Sequence, residues 1–583
     1  MNSFPNNLIS YTKTAFSGVK EIKNISLSRL GKVFSLMGKN EKIALAILIA
    51  FALISFLVSI KNFYYSHTAP APAYGGIYNE GLIGQPIYIN PLLAYQEPDT
   101  SLTKLIFSGL YKYDQNGQLI PDLAEGQPEI SEDQKQYTIN IRRDAKWHND
   151  KPLNADDVVF TIQTLKDPAY KSPQRAMWQS TTIEKLSDYS VKFITKDISG
   201  PFIFNLTLPI LPKSVWGKVD SQNFVLSTNN LEAIGSGPYS IKEIKKLPSG
   251  KVEQISLSSN SLYYEGKAKI EQLIFRFYNT EEDMLNAFHS REVDGFGFVP
   301  LGSSLFVDKN QNEAKVLTVP LPQYQVIFFN LNNRILADLK IRTALTLATN
   351  RQQIIDEVFK GNALLPSSPL LLNKKGNQSV LNGEDVTQAN SILDELGWKV
   401  DDKIGTRVSK KGTPFEITIA TNDSLVNSKA AEILANQWKR LHIKVNITVL
   451  PSKQLTEDLI KPRSFDVLLF PQKFGADPDP FLFWHSSQVK DPGFNLTGFT
   501  DPNIDKIITE ARNTTEIQIR EEKYQEFNTL ISSKFAVIFL DQTEYIYATD
   551  KSVKNINFNT LYDPSQRFNN IKDWYINEGR AWK

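Results

Sequence analysis

Residues 43–60 read IALAILIAFALISFLVSI, opening at Ile43 and closing at Ile60 without a single charge, between Lys42 and Lys61. Coiled as a helix rising about 1.5 Å per residue, such a run reaches roughly 27 Å, close to the hydrocarbon thickness of a bilayer. It predicts one transmembrane helix. After Tyr74 no second long apolar run occurs, and the pattern becomes that of a globular α/β chain. KQYTINIRR (135–143) alternates Tyr137, Ile139 and Ile141 with polar residues, as a half-buried strand does. NADDVVFTIQTL (154–165) offers Asn154 as an N-cap, with Asp156 and Asp157 in the first turn of a helix. LKIRTALTLATNRQQIIDEVF (339–359) spaces apolar residues at helical intervals and predicts one helix. LVNSKAAEILANQWKRLHI (425–443) predicts another, followed by strands at KVNITVL (444–450) and SFDVLLF (464–470).

The flanks of the apolar run set its direction. Residues 1–42 carry seven basic and two acidic side chains, a net +5, and positive charge is retained on the cytoplasmic side of a membrane. The leader is expected in the cytoplasm and the body beyond Lys61 outside the cell or in the periplasm. A cleaved signal peptide competes with this reading, because SHTAPAPAYGG offers small residues at Ala69, Ala71 and Ala73. Such signals use a shorter leader and a shorter apolar stretch, which favours an uncleaved single-pass anchor. SHTAPAPA itself reads as a short polyproline-like stalk.

Composition then narrows the chemistry. At 583 residues the chain exceeds what one core fills, so two or three domains are expected. Its 65 basic and 63 acidic residues leave a net charge of +2, no electrostatic footprint for nucleic acid. Cysteine is absent, which excludes disulfides, thiol catalysis and thiolate-bound metals. The five histidines show no HExxH-like spacing, and no GxSxG elbow, Walker loop or dinucleotide fingerprint occurs. No enzyme, no metal site and no cofactor are expected.

One stretch joins carboxylates to rings: FGADPDPFLFW (474–484), directly after the 464–470 strand. Ligands in open α/β sheets gather beyond the carboxyl ends of strands, so this stretch is a candidate pocket wall. A surface turn beside a core strand is the plainer alternative. Asp477 before Pro478, and Asp479 after it, are good turn residues. Phe474 and Trp484 suit either a pocket or a core.

Several segments, in order, resemble the extracellular solute-binding proteins of family 5, the peptide-, nickel- and oligosaccharide-binding receptors of ABC importers. They are GGIYNEGLIGQPIYINPLLA (75–94), FSGLYKYDQNGQLIPDLAE (107–125), INIRRDAKWHNDKPLNADDVVFTI (139–162), GSGPYSI (235–241), DLKIRTALTLATNRQQI (338–354), SILDELGW (391–398) and FNLTGFTDPNIDKIITEAR (494–512). Two positions depart from the family's pattern: Asp150 stands where a glycine is usual and Asn350 where an aspartate is. Both look structural.

The resemblance implies an α/β, bilobed clamp of the periplasmic-binding-protein type (type II, with an extra domain) behind the transmembrane helix. Lobe I would comprise 74–112, 231–318 and 546–583, the extra domain 113–230 and lobe II 319–545, with 1–42 as leader, 43–60 as anchor and 61–73 as stalk. The implied function is capture of short peptides for ABC permease subunits. Another solute (an oligosaccharide or a metal chelate) and a non-transport adhesion or assembly role are the alternatives. The resemblance assigns Asp477 to the peptide's ammonium, and Asp477→Ala is expected to weaken peptide binding while leaving thermal unfolding of the unliganded protein nearly unchanged. Phe474 and Trp484 would wall side-chain pockets, and the backbone of Glu80, Gly81, Leu82 and Ile83 would hold the ligand main chain, unless that segment is an ordinary edge strand. Asp479 and the nearby basic residue Lys473 complete the candidate set.

Overall fold

The computed structural model describes residues 35–298, 314–366, 368–370 and 384–583. Most of the basic leader, residues 1–34, lies outside them. The chain divides into two compact units.

The smaller unit is formed by the helix Lys39–His67 and a two-stranded ribbon. Among the described residues this helix alone is long and apolar enough to cross a membrane, and it extends past the 43–60 run at both ends. The expected stalk is not a lone polyproline segment. Thr68–Pro72 pairs antiparallel with Glu578–Trp582, so the last residues leave the expected lobe I. Proline lacks an N–H, yet Pro70 and Pro72 are tolerated. The Lys583 N–H donates to the His67 carbonyl (2.9 Å), which puts 67, 69 and 71 on the bonded side and both prolines on the other. Arg580 ties the ribbon to the helix end, donating to Thr68 Oγ1 at 2.7 Å and to the carbonyls of Thr68 and Tyr65.

The larger unit, Ala73–Asn577, is built on one mixed sheet. Its order runs Lys444–Leu450, Glu416–Asn422, Val467–Lys473, Ala314–Phe329, Val537–Asp550, Gly295–Phe298, Ile77–Ile83, Gln272–Tyr278, Val252–Ser259, Tyr239–Lys246. The two central strands are long, of 16 and 14 residues, and each serves both halves. Their pairing is interrupted between Pro320 and Tyr324 and again between Gln325 and Val326. Such irregularities bend and twist a ladder.

Alternation along Ala314–Phe329 feeds two separate cores in the second half. Ile327 and Phe329 enter the one with Trp438 and Leu434, while Val326 and Phe328 enter the one with Trp484 and Phe527. Among the described residues the first half has one large core and a small satellite of Met284, Phe296, Ile546 and Ala548. The large core joins Tyr78 and Phe275 of the sheet to Trp147, Trp178 and Phe193 of the 113–230 region and to Phe568 and Trp574 near the C-terminus. The region expected as an extra domain has its own four-stranded sheet but shares this core.

Most predicted elements are present. Gln136–Asn140 is a strand, and Asn154 caps Ala155–Lys166 by accepting from Asp156 N–H at 2.9 Å. Asp150 sits at φ +65°, the left-handed conformation that favours glycine. The 339–359 segment is two helices rather than one, Leu339–Leu347 and Arg351–Val358. Asn350 leaves helical geometry and caps the second by accepting from Gln353 N–H (2.9 Å). The 464–470 strand is shifted and runs over Val467–Lys473, so Phe474 follows it immediately.

Candidate functional site

A cleft of about 680 Å³ opens where the two long strands pass between lobes, within the range of ordinary ligand sites. Val319, Pro320 and Gln542 of the long strands line it, together with Asp477, Arg520, Glu521 and Tyr524 and with Leu119, Phe204 and Tyr562. Its lining is mostly apolar with scattered amides and hydroxyls.

Asp477 lines this cleft as the 474–484 stretch leads one to expect, but its carboxylate is not open. Arg520 makes an ion pair with it, and Tyr524 donates its hydroxyl to Oδ1 at 2.9 Å. The Asp477 and Arg520 side chains are 8% and 5% exposed, so both are withdrawn from water. Arg520 also donates to the Tyr524 hydroxyl at 3.0 Å. Arg520, Tyr524, Phe527 and Ile531 form the buried face of the helix Ile517–Ser532. That spacing of 4, 3 and 4 is the pattern of a core stripe, and an arginine within it is the signal that a buried acid waits opposite.

Asp479 has its own partners. It caps the short turn by accepting from Phe481 N–H (3.0 Å) and pairs with Arg512 at 3.2 Å. Burial raises its pKa, and Arg512 and the Phe481 N–H offset part of that rise. Phe474 and Trp484 are corrected from wall to core. Phe474 meets Tyr324 and Phe483 edge-on, Trp484 meets Phe499 and Phe527, and both rings are buried. Apolar area of this size next to the strand Val467–Lys473 is more stable against Val326 and Phe328 than beside water. Lys473 is half-exposed and reaches Asp563 at 3.0 Å, linking the two halves.

The Glu80 segment is neither an edge strand nor an open ligand-binding backbone along its length. Ile77–Ile83 is central, paired throughout with Gln272–Tyr278 and at Glu80 and Gly81 with Gly295–Phe298. Leu82 is buried and Ile83 exposed. The Glu80 carboxylate is fully buried, accepting from Arg567 Nε at 2.9 Å and from the hydroxyls of Tyr78 (2.7 Å) and Tyr547 (2.8 Å). A charge so deep persists because each oxygen is answered. Nearby Glu97 shares Arg567 at 3.3 Å, and burial holds its pKa up at about 7 against the pull of Arg567.

The region 113–230 also touches the second half. Gln134 Oε1 accepts from the backbone N–H and hydroxyl of Thr515, and Gly200 N–H donates to the Arg512 carbonyl at 2.9 Å. A Cβ on Gly200 would stand 2.1 Å from the Thr514 carbonyl oxygen and 2.8 Å from Arg520. Only a bare backbone fits against the helix pair that carries the Asp477 partner.

Residues 118–493 match the bacterial extracellular solute-binding proteins, family 5 Middle. The chain belongs to this family. It is 27% identical to the oligopeptide-binding protein AppA of Bacillus subtilis over 554 residues, covering 92% of this chain and 99% of AppA. The structure of that protein in complex with a nonapeptide superposes with a TM-score of 0.69 at 25% identity, over 87% of this chain and 99% of the other. NikZ from Campylobacter jejuni in complex with Ni(L-His) gives 0.68 at 25% identity, over 86% and 99%. Family 5 membership accounts for the α/β, bilobed architecture and for a cleft crossed by two strands.

Proposed function

We propose that this chain is the peptide-capturing receptor of an ABC importer, tethered to the membrane by Lys39–His67. The observation that carries the reading is the cleft at the strand crossing, mostly apolar and edged by amides, in a chain whose relative AppA is named for oligopeptides. An apolar, amide-bearing cleft suits ligands with a constant main chain and variable side chains. Lobe closure about residues 320–325 and 541–544 traps the peptide, with Lys473–Asp563 and Gln134–Thr515 as cross-cleft contacts. Asp477 contributes to the cleft as one half of a neutral pair with Arg520. Permease subunits receive the closed form.

Native mass spectrometry of protein purified from the producing cells tests this reading. A ladder of bound masses that fragment as peptides is the expected result. Bound sugars, a metal chelate or an empty cleft would overturn it.

The tether rests on the net +5 leader and the uncharged 18-residue run. Protease added to intact cells, or to spheroplasts, should digest the body and spare a small N-terminal fragment. A mature chain that begins near Tyr74 and washes off the membrane would instead establish a cleaved signal.

A further inference from the structure

A second cavity of about 310 Å³ shares Phe204 with the cleft. Lys104, in the last turn of the helix Glu97–Ile106, lines it together with Lys112, Asp122, Asn205 and Asp563. The acids here are already engaged. Asp122 receives Lys112 at 3.2 Å and the Tyr264 hydroxyl at 2.5 Å, Glu265 receives Lys112 at 2.5 Å, and Asp563 receives Lys473 at 3.0 Å. Of the cations lining the two cavities, Lys112 and Arg520 are ion-paired, while Lys104 Nζ has no hydrogen-bond or ion-pair partner among the described residues. Lys104 is half-buried, and a charge partly withdrawn from water without a partner is costly. The amine accordingly holds its proton weakly: burial pushes its pKa down to about 8, with Lys112 adding to the fall and Asp122 and Glu265 opposing it.

We propose that Lys104 is the receptor for a carboxylate of the ligand, which enters this second cavity. The inference rests on the peptide-receptor reading of the cleft and assigns the ligand's polarity. With Asp477 already answered by Arg520 and Lys112 by Asp122, the cation on offer to a ligand in the two cavities is the ammonium of Lys104. Two sources share the chemistry, a peptide's C-terminal carboxylate and an acidic side chain.

Calorimetry with penta-alanine, its C-terminal amide, and the amide carrying one central glutamate separates the sources. Wild type is expected to bind the free acid about tenfold or more tighter than the amide, and Lys104→Met to bind the two equally. Recovery of tight binding by the glutamate amide assigns the site to side chains. A preference for the acid that survives in Lys104→Met overturns the proposal, as does equal binding of all three to wild type. Trace acetylation read by peptide mass spectrometry decides the matter even where no peptide binds. Lys104 should label rapidly and be protected by N-acetylalanine at tens of millimolar, but not by N-acetylalaninamide. Equal labelling with both fragments overturns the carboxylate site, whereas protection without peptide binding leaves Lys104 standing and removes the peptide reading.

Discussion

Asp477→Ala should destabilise the unliganded protein by about 3–5 kcal/mol, the usual cost of leaving one member of a buried ion pair alone. The reason is Arg520, 5% exposed and reliant on Asp477 and Tyr524 for its hydrogen bonds. Chemical denaturation should show a lower midpoint with an unchanged slope, since the same surface is exposed on unfolding. The charge-free pair Asp477→Leu with Arg520→Met should recover most of the loss, because both ends of the interaction leave together. A single Asp477→Ala variant within about 0.5 kcal/mol of wild type would mean that the pair is not closed in solution. In that case the carboxylate is open to a ligand ammonium after all. N-acetylating a bound peptide reads the same point from the ligand side: with Arg520 in place, binding to wild type should weaken by less than about threefold, under 1 kcal/mol.

Asp541→Asn should make the protein more stable, and increasingly so as pH rises. Asp541 lies on the strand Val537–Asp550 opposite Gln325, fully buried, and neither carboxyl oxygen has a hydrogen-bond partner among the described residues. Burial alone pushes its pKa from 3.8 up to about 8. The folded protein therefore keeps this proton across a range in which the unfolded chain has released it. Stability contributed by the protonated form is complete below about pH 4 and is lost as pH rises toward 8. The slope within that window is about 1.4 kcal/mol per pH unit. Asparagine has no proton to lose. The stability difference between variant and wild type should grow with that slope from pH 4 to 8 and then level off. A difference independent of pH would show that the carboxyl is hydrated or paired in solution.

These two acids also show where sequence reading stops. The long apolar run, the Asn154 cap and the strand before Phe474 are local patterns, legible because neighbours in sequence decide them. The break at Asn350 was legible only as an odd residue, since capping and continuing a helix use the same apolar spacing on either side. Asp477 was found by its place beyond a strand end, but its partner Arg520 lies 43 positions on, inside a helical stripe. Glu80 looked like an accessible strand residue because nothing near it in sequence reveals Arg567. Phe474 and Trp484 carry the same signature for core and pocket, and only the sheet's second face decides between them. Lys104 and Asp541 have no local signature. Their interest comes from what distant segments fail to place beside them.

The threading of the sheet has a consequence for biosynthesis. The first half of the larger unit surrounds Tyr78 and Phe275, yet its core is completed by Tyr545, Tyr547, Phe568 and Trp574. Glu80 meets Arg567 across 487 residues of sequence. A nascent chain thus emerges with its earliest segment unable to close, holding a buried acid without its base until the final turns are made. Long-range closure of this kind is slow and leaves apolar surface exposed meanwhile. The core around Tyr78 and Phe275 therefore closes only after the last stretch of the chain has been made.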